Sequence, residues 1–225
     1  VDFLSPEVCS NDTVFYNDSS ISTQGMINYW EWDFGDGWPV DYNQHTAHLY
    51  ATHGTYNIRL TVATDKGCTN TVVKPQRSFP VPVPDFIQEG QCERQRVLFT
   101  DDSQLDPMFG SVMTSWHWDF GDSTDATNEQ VGHFYQDPGY YTLSLTPYTN
   151  YGCNRTEGFE ILMRPKPEGK ILILDDKVCA GNEINYRDET YFDYEFDSVG
   201  VVSWNWVFGD GNSSLKTGPS NTFVK

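Results

Sequence analysis

The sequence has no apolar run long enough to span a bilayer, and no signal-like segment opens it. No long stretch places apolar residues at i, i+3, i+4 and i+7, so we predict no helix. Basic residues are scarce, because 14 Lys and Arg stand against 32 Asp and Glu, for a net charge of −18. Such a surface repels nucleic acid and anionic lipid, so we expect neither a nucleic-acid partner nor direct membrane insertion.

Aromatic residues and turn residues are plentiful instead. Phe, Trp and Tyr make up 15% of the chain, and there are 18 glycines and 12 prolines. This composition favours short strands joined by many turns, and hence an all-β fold. The acidic surface also suits divalent cations and keeps an exposed protein in solution.

One aromatic stretch occurs three times. WEWDFGDG occupies residues 30–37, WHWDFGD residues 116–122 and WNWVFGDG residues 204–211. Trp118 follows Trp32 by 86 positions, and Trp206 follows Trp118 by 88. A fixed period of this kind indicates an array of repeated units. We therefore predict three domains, at residues 1–79, 80–167 and 168–225.

A second signature follows in the first two repeats. His48-x-Tyr50 and Gly54-x-Tyr56 recur as His133-x-Tyr135 and Gly139-x-Tyr141. Each leads into alternating apolar and polar residues, which predicts antiparallel strands with one buried face. The third repeat shows no such signature before Lys225, so we expect it to be incomplete. We expect the natural chain to continue, the alternative being a strand donated by another chain.

Two proline-rich stretches separate the repeats. Residues 74–84 and 164–167 should be extended and fairly stiff, although the alternating prolines and valines of the first could also form an edge strand entering the next repeat. Both joints are short. This favours a rod with limited bending.

The five cysteines occupy repeated positions. Cys9 and Cys68 are 59 residues apart, and Cys92 and Cys153 are 61 apart. We predict one disulfide within each repeat, with the partner of Cys179 beyond the end of the sequence. Disulfides imply an oxidising compartment, hence a secreted or surface-exposed protein. Zinc is the alternative, but there is no C-x-x-C pair to support it.

The repeated stretch has the pattern of a strand that ends in a tight turn. Trp30, Trp32 and Phe34 alternate toward a core, and the glycine beyond them permits a positive φ. The stretch resembles the hallmark WDFGDG of the PKD (polycystic kidney disease) domain, an immunoglobulin-like β-sandwich, as do the HxY and GxY signatures that follow. The resemblance covers the first two repeats fully and the third in part. The matching positions are Trp32, Asp33, Gly35, Asp36, Trp118, Asp119, Gly121, Asp122, Trp206, Gly209 and Asp210.

This resemblance implies a structural role for the stretch. Val207 stands where the first aspartate is expected, and Ser123 replaces the second glycine, so neither position is indispensable for chemistry. His48 and His133 belong to the repeat, which favours structural hydrogen bonds. We predict no catalytic residues and no enzyme activity.

Calcium is the most plausible ligand. Asp175 and Asp176 lie just after a predicted joint, where some PKD-like domains bind calcium. Two other acidic groups are rich in oxygen ligands, namely Asp101 with Asp102, and Asp193 with Glu195 and Asp197. None has the spacing of an EF-hand.

Candidate glycosylation sites fall into two classes. Asn11, Asn17, Asn154 and Asn212 each begin an N-x-S/T sequence. Thr13, Ser123 and Ser198 instead follow an aspartate and precede a small or apolar residue, a pattern that resembles the bacterial O-linked one.

The cysteine placement resembles PKD repeats of very large secreted Bacteroidota proteins, including gliding-motility adhesins exported by type IX secretion. We therefore expect a structural or adhesive segment of a secreted or cell-surface protein, such as a stalk, adhesin or filament. Its partners would be neighbouring repeats, and surface polysaccharide or other surface proteins. The alternative is a carbohydrate- or protein-binding accessory module of a secreted hydrolase. An exposed aromatic patch would favour it, and Trp38, outside the core-facing trio, is the residue to inspect.

Overall fold

The computed structural model describes residues 1–175, 179–192 and 200–223. These residues are almost entirely strands and loops, with one 3₁₀ turn at Met108–Gly110 and no α-helix among them. The prediction of an all-β fold is confirmed. In the described part of the chain, no helix is long and apolar enough to cross a bilayer.

The first repeat contains six strands in two sheets. One sheet has the order β1-β6-β5-β3, and the other pairs β2 with β4. The strands are β1 (Val8–Cys9), β2 (Thr13–Asn17), β3 (Ile27–Asp33), β4 (His45–Leu49), β5 (Gly54–Thr64) and β6 (Thr69–Phe79).

The predicted alternation is present in β5. Ile58, Leu60 and Val62 are buried, whereas Asn57 and Arg59 between them are exposed. These apolar side chains meet Trp32 of β3 and Val14 and Tyr16 of β2 in one core. The burial of two facing sheets against each other is what makes this repeat a sandwich.

The first proline-rich stretch is only partly a joint. Residues 74–79 belong to β6, where Pro75 pairs with Asn57 and Ser78 pairs with Gly54. Beyond them, Val83 forms an isolated antiparallel bridge with Gln104. The first half of the stretch therefore completes the sheet of the first repeat, and does not form an edge strand entering the next one.

The second repeat has a similar set of strands. Its sheets have the orders β10-β9-β12-β13 and β11-β8-β7. Trp118 and Phe120 are buried, and so are Leu143 and Leu145. The strands are β7 (Phe86–Glu89), β8 (Val97–Asp101), β9 (Met113–Asp119), β10 (Asp125–Ala126), β11 (Gln130–His133), β12 (Gly139–Thr149) and β13 (Glu157–Met163).

The third repeat is described in part. Its sheets have the orders β14-β15-β18 and β16-β17. The strands are β14 (Ile171–Ile173), β15 (Glu183–Asp188), β16 (Trp206–Val207), β17 (Ser213–Ser214) and β18 (Ser220–Thr222).

The residues form two compact units that do not follow the sequence repeats. The first unit contains Val1–Ile87, Thr100–Val131 and Leu143–Phe159, so it holds strands of the first and the second repeat. The second unit contains Gln88–Phe99, Gly132–Thr142 and Glu160–Lys225. The domain boundaries at residues 79 and 167 stay predictions.

Candidate functional site

The turn after β3 is held by its own aspartates. The Asp33 carboxylate accepts a hydrogen bond from the Gly35 amide (3.0 Å) and pairs with the Arg59 guanidinium (3.0 Å). Gly35 has a φ of +78°, and a Cβ there would lie 2.7 Å from the Asn57 carbonyl oxygen. Glycine is required at this position both by conformation and by space.

Asp36 connects the turn to the opposite sheet. One of its oxygens accepts a hydrogen bond from the Trp38 amide (3.1 Å), and the other lies 2.7 Å from His48 Nε2. The His48 ring is buried and stacks on Phe34 with 4.0 Å between ring centroids. This histidine therefore positions β4 against the turn, as predicted for a structural residue.

The tyrosine of the second signature closes the same network. Tyr50 is fully buried and its hydroxyl donates to the Phe34 carbonyl oxygen (3.2 Å). Burial raises the pKa of Tyr50 to about 12. Tyr16 donates to Gln76 Oε1 (3.0 Å), and burial raises its pKa above the usual range for tyrosine as well. Both hydroxyls thus stay neutral donors at physiological pH.

The indole nitrogen of the second tryptophan of the motif bonds to a backbone carbonyl in all three repeats. Trp32 donates to the Asn43 carbonyl (2.9 Å), Trp118 to Asn128 (2.8 Å) and Trp206 to Lys216 (2.9 Å). Each bond ties the strand to the loop that follows it. The aspartates recur in the same way, since Asp119 accepts from the Gly121 amide (2.9 Å) and Asp122 from the Thr124 amide (3.1 Å).

The third repeat carries an asparagine where the first has His48. Asn221 donates from Nδ2 to Asp210 (2.8 Å), and Asn221 pairs with Ile184 as His48 pairs with Val14. Phe223 then stands in the place of Tyr50. Asn221 and Phe223 thus occupy the positions of the histidine and the tyrosine, although neither residue type is conserved there. No Gly-x-Tyr signature follows them in this sequence, in line with the expectation of an incomplete third repeat.

The contact between Asn221 and Asp210 stabilises the folded state. Its hydrogen bond from Asn221, with support from the Asn212 amide, lowers the pKa of the Asp210 carboxyl below its usual value. Since the folded-state pKa is the lower one, the stabilisation is present at neutral pH. It is lost as the pH falls through the folded-state value.

Replacing His48 tests the role of this network. We expect His48→Ala to lower the free energy of unfolding by about 1–3 kcal/mol, because Asp36 loses a partly buried partner. His48→Asn, which introduces the residue found in the third repeat, should lose less. Urea unfolding followed by Trp fluorescence measures both. Equal losses for the two variants would contradict a hydrogen-bonding role.

The disulfide differs from the two that we predicted. Cys9 is bonded to Cys153, with 5.6 Å between their Cα atoms, and not to Cys68. Cys68, Cys92 and Cys179 are not in disulfides. The prediction of Cys9–Cys68 and Cys92–Cys153 pairs is therefore wrong. Both bonded cysteines lie in the first compact unit, but Cys9 belongs to the first repeat and Cys153 to the second.

An aromatic cluster includes the register partner of Cys9. Phe79, the register partner of Cys9, is buried and stacks on Tyr151 with 3.9 Å between ring centroids. Phe109 packs edge-on against the Phe79 ring, with 5.5 Å between ring centroids. His53 Nε2 and Asp106 Oδ2 lie 3.2 Å apart in the same unit. The disulfide thus sits in a packed contact between residues of consecutive repeats.

The candidate calcium ligands that the structure describes, Asp101, Asp102 and Asp175, do not form a cluster. Asp175 accepts a hydrogen bond from the Asn185 amide (2.8 Å), and Asp101 accepts one from the Ser103 amide (3.3 Å). The described residues contain no group of three or more His, Cys, Asp or Glu side chains that could hold a metal ion. Asp176, Asp193, Glu195 and Asp197 lie outside the described residues, so calcium binding stays a prediction.

The described glycosylation candidates are all exposed. These are Asn11, Thr13, Asn17, Ser123, Asn154 and Asn212, whereas Ser198 lies outside the described residues. The Asn212 side chain donates to Asp210 (3.0 Å), so a sugar there would compete with that bond. Modification at these sites stays a prediction.

Trp38 follows the turn and lies on the surface. It is 69% exposed, and Tyr42 and Tyr29 nearby in sequence and sheet are 57% and 40% exposed. Trp38 and Tyr42 line a shallow cleft of about 400 Å³ that also includes Pro39, Asn43 and His48. Tyr29 stacks obliquely on Tyr42 (5.9 Å) and donates to Glu31 (2.6 Å), which raises the pKa of Tyr29 to about 12.

Comparison with solved structures finds single PKD domains and a longer, three-domain segment. The PKD1 domain of Vibrio anguillarum Epp is 23% identical, with a TM-score of 0.33, covering 37% of this chain and 93% of that one. The PKD1 domain of the Vibrio cholerae metalloprotease PrtV is 24% identical, with a TM-score of 0.31, covering 38% and 96%. Three N-terminal domains of the bacteriophage RB49 capsid protein Hoc are 14% identical, with a TM-score of 0.40, covering 95% and 77%.

The sequence model of the PKD domain matches twice in tandem. The matches cover residues 3–77 and 80–162, more than half of the chain, and each contains one complete set of the turn, histidine and tyrosine positions described above. Given these matches and this architecture, the chain belongs to the PKD domain family.

Proposed function

We propose that this chain is a structural repeat segment of a secreted or cell-surface protein, in which it separates functional parts from the surface that carries them. The single observation that supports this most is the Cys9–Cys153 disulfide. It joins consecutive repeats within one packed contact and limits their independent movement. A disulfide also requires an oxidising compartment, which supports location outside the cytoplasm.

The turn network supports a non-catalytic role. In the first repeat the Asp36 and His48 side chains bond to each other and to the turn. The same positions recur in the third repeat as Asp210 and Asn221. Asparagine cannot act as a general base, so the recurring function of this position is to hold the fold.

The high negative charge fits a long exposed segment. A net charge of −18 keeps neighbouring chains apart and maintains solubility at high local density. The finer assignment, to an adhesin, a filament or a gliding-motility protein, is part of this proposal. It depends on what the rest of the natural protein contains.

The test is a replacement in the natural protein within its own cells. An unrelated rigid repeat array of similar length is inserted in place of residues 1–167, and a flexible Gly/Ser linker is inserted in a second strain. We expect attachment of the cells to a surface to be retained with the rigid array and reduced at least several-fold with the flexible linker. Loss with both replacements would contradict the spacer role.

The second candidate is a binding module that uses the aromatic surface. Trp38 and Tyr42 are exposed beside a cleft, and exposed aromatic rings are suited to stacking on sugar rings or on partner side chains. Titration of purified surface polysaccharide, followed by Trp fluorescence, should then saturate in the wild type and lose at least tenfold affinity in Trp38→Ala. No saturable change in the wild type would remove this candidate.

A further inference from the structure

The cysteines fall into two structural classes. We call Cys9, Cys92 and Cys179 the first-turn cysteines, because each precedes a turn near the start of its repeat. We call Cys68 and Cys153 the hairpin cysteines, because each follows a Gly in the turn after a long strand. The members of each class are equivalent to one another in backbone geometry as well as in sequence.

Two of the first-turn cysteines form a parallel pairing at the end of the last strand of their repeat. Cys9 pairs with Phe79, and Cys92 forms a parallel bridge with Arg164. The residue two positions later has a positive φ in each case, at Asn11, Arg94 and Gly181. The amides of these three residues donate to equivalent carbonyls, on Tyr50 (2.8 Å), Tyr135 (2.7 Å) and Phe223 (3.0 Å).

The hairpin cysteines are equally alike. Their carbonyls accept from the amides of Thr64 (2.9 Å) and Thr149 (2.8 Å). Their amides donate to the hydroxyls of the same threonines, at 3.3 Å for Cys68 and 3.0 Å for Cys153. Each turn also contains a glycine with a φ near +80°, Gly67 or Gly152. A hairpin cysteine is therefore presented in the same way in both repeats.

One member of each class is already bonded, and the bond crosses the boundary between two repeats. The first-turn cysteine of the first repeat takes the hairpin cysteine of the second. Their equivalents, Cys92 at the second repeat and Cys68 at the first, are unbonded, and Cys68 is exposed. The bonded pair thus shows which cysteine classes bond to each other across a repeat boundary. By the same pattern, the partners of Cys68 and Cys92 are not in this sequence.

We propose that Cys68 and Cys92 are the two open ends of a continuous series of disulfides between consecutive PKD repeats. Cys92 bonds to the hairpin cysteine of a repeat that follows, and Cys68 bonds to the first-turn cysteine of a repeat that precedes. Cys179 continues the series in the same direction as Cys92. This inference concerns covalent linkage and does not depend on whether the segment is a spacer or a binding module.

The partner of Cys92 is not the Cys68 of a second copy. At the bonded junction Phe79 stacks on Tyr151, two residues before Cys153. Arg164 stands in the place of Phe79 at the next junction, and Lys66 stands in the place of Tyr151 in the first hairpin. Pairing Cys92 with Cys68 would oppose these two cations. We infer a hairpin with an acidic or aromatic residue two positions before its cysteine.

The bond forms by thiol–disulfide exchange with a disulfide oxidant, either a protein or a low-molecular-weight disulfide. A thiolate of one cysteine attacks the oxidant and releases one thiol. The second cysteine then attacks the mixed disulfide and releases the other. Two cysteine thiols thus lose two protons and two electrons, and the oxidant disulfide becomes two thiols.

The experiment is disulfide mapping of the natural protein from its own cells. Free thiols are alkylated in denaturant before digestion, and linked peptides are identified without reduction. We expect Cys9 linked to Cys153, Cys92 linked to a Gly-Cys hairpin peptide, and Cys68 linked to a first-turn peptide of another PKD repeat. Alkylated Cys68 and Cys92, or Cys9–Cys68 and Cys92–Cys153 peptides, would overturn the proposal.

Electrophoresis separates the two sources of the partner repeat. If the repeats belong to the same chain, reduction leaves the mass in denaturing gels unchanged. If they belong to separate chains, reduction releases smaller species. A Cys92–Cys68 peptide between two copies would contradict the charge argument, and with it the inferred partner.

Discussion

We expect the double substitution Cys9→Ala and Cys153→Ala to lower the free energy of unfolding by about 2–5 kcal/mol. The disulfide spans 144 residues, so its loss gives the unfolded chain a large gain in conformational entropy. The melting temperature, followed by circular dichroism at neutral pH, should fall by roughly 10 °C. Reduction of the wild type should have a similar effect.

The matched control is the substitution of the equivalent pair. In a protein consisting of residues 1–225 alone, Cys68→Ala and Cys92→Ala together remove one hairpin cysteine and one first-turn cysteine, neither of which is bonded within this sequence. We expect the melting temperature of this variant to stay within about 2 °C of the wild type, in line with small changes at positions outside the core. If the two double variants were equally destabilised, the stabilisation could not come from the Cys9–Cys153 bond.

The second large effect is expected at Trp32. Its side chain is fully buried, with ring centroids 5.1 Å from Phe3 and 5.9 Å from Tyr16, and its indole nitrogen is bonded to Asn43. Trp32→Ala should therefore lower the free energy of unfolding by about 3–5 kcal/mol, because it leaves a cavity and an unpaired carbonyl. Urea unfolding measured by circular dichroism provides the value.

Trp38→Ala is the matched control for that experiment. It removes the same side chain six residues later in the sequence, where the ring is 69% exposed. We expect a change within about 0.5 kcal/mol. A large decrease in the free energy of unfolding of Trp38→Ala would mean that the exposed ring stabilises the fold. It would weaken the assignment of Trp38 as a binding residue.

Much of the fold follows from the period of the sequence. The three aromatic stretches predicted the strand that ends in a tight turn, and the alternation in residues 56–62 predicted which side chains are buried. Both depend on local chemistry, because a strand has a period of two and the turn needs a glycine. Local chemistry is what a single sequence reports best.

The disulfide pairing could not be predicted in the same way. Spacing identifies Cys9 and Cys68 as equivalents of Cys92 and Cys153, but it is silent on which repeat supplies each partner. A bond within a repeat and a bond to the next repeat obey the same period. The aromatic contact between Phe79 and Tyr151 decides it, and that contact joins residues 72 positions apart in sequence.

The Asn221 position was missed for a different reason. The signature was defined by histidine and tyrosine, whereas the structure requires only a donor toward Asp210 and an aromatic ring two residues later. A search for the physical requirement would have found it, since Asn221 follows Asp210 at nearly the spacing by which His48 follows Asp36.

The disulfide also determines where a pulling force can act. If the chain is drawn from its two ends, tension enters at Val1 and crosses from Cys9 directly to Cys153. Residues 10–152 then lie outside the loaded path, and their strands are not stretched however hard the ends are pulled. Strands β2 to β12 lie within this loop and would carry no load until a reductant opens the bond, whereas β13 (Glu157–Met163) lies on the loaded path.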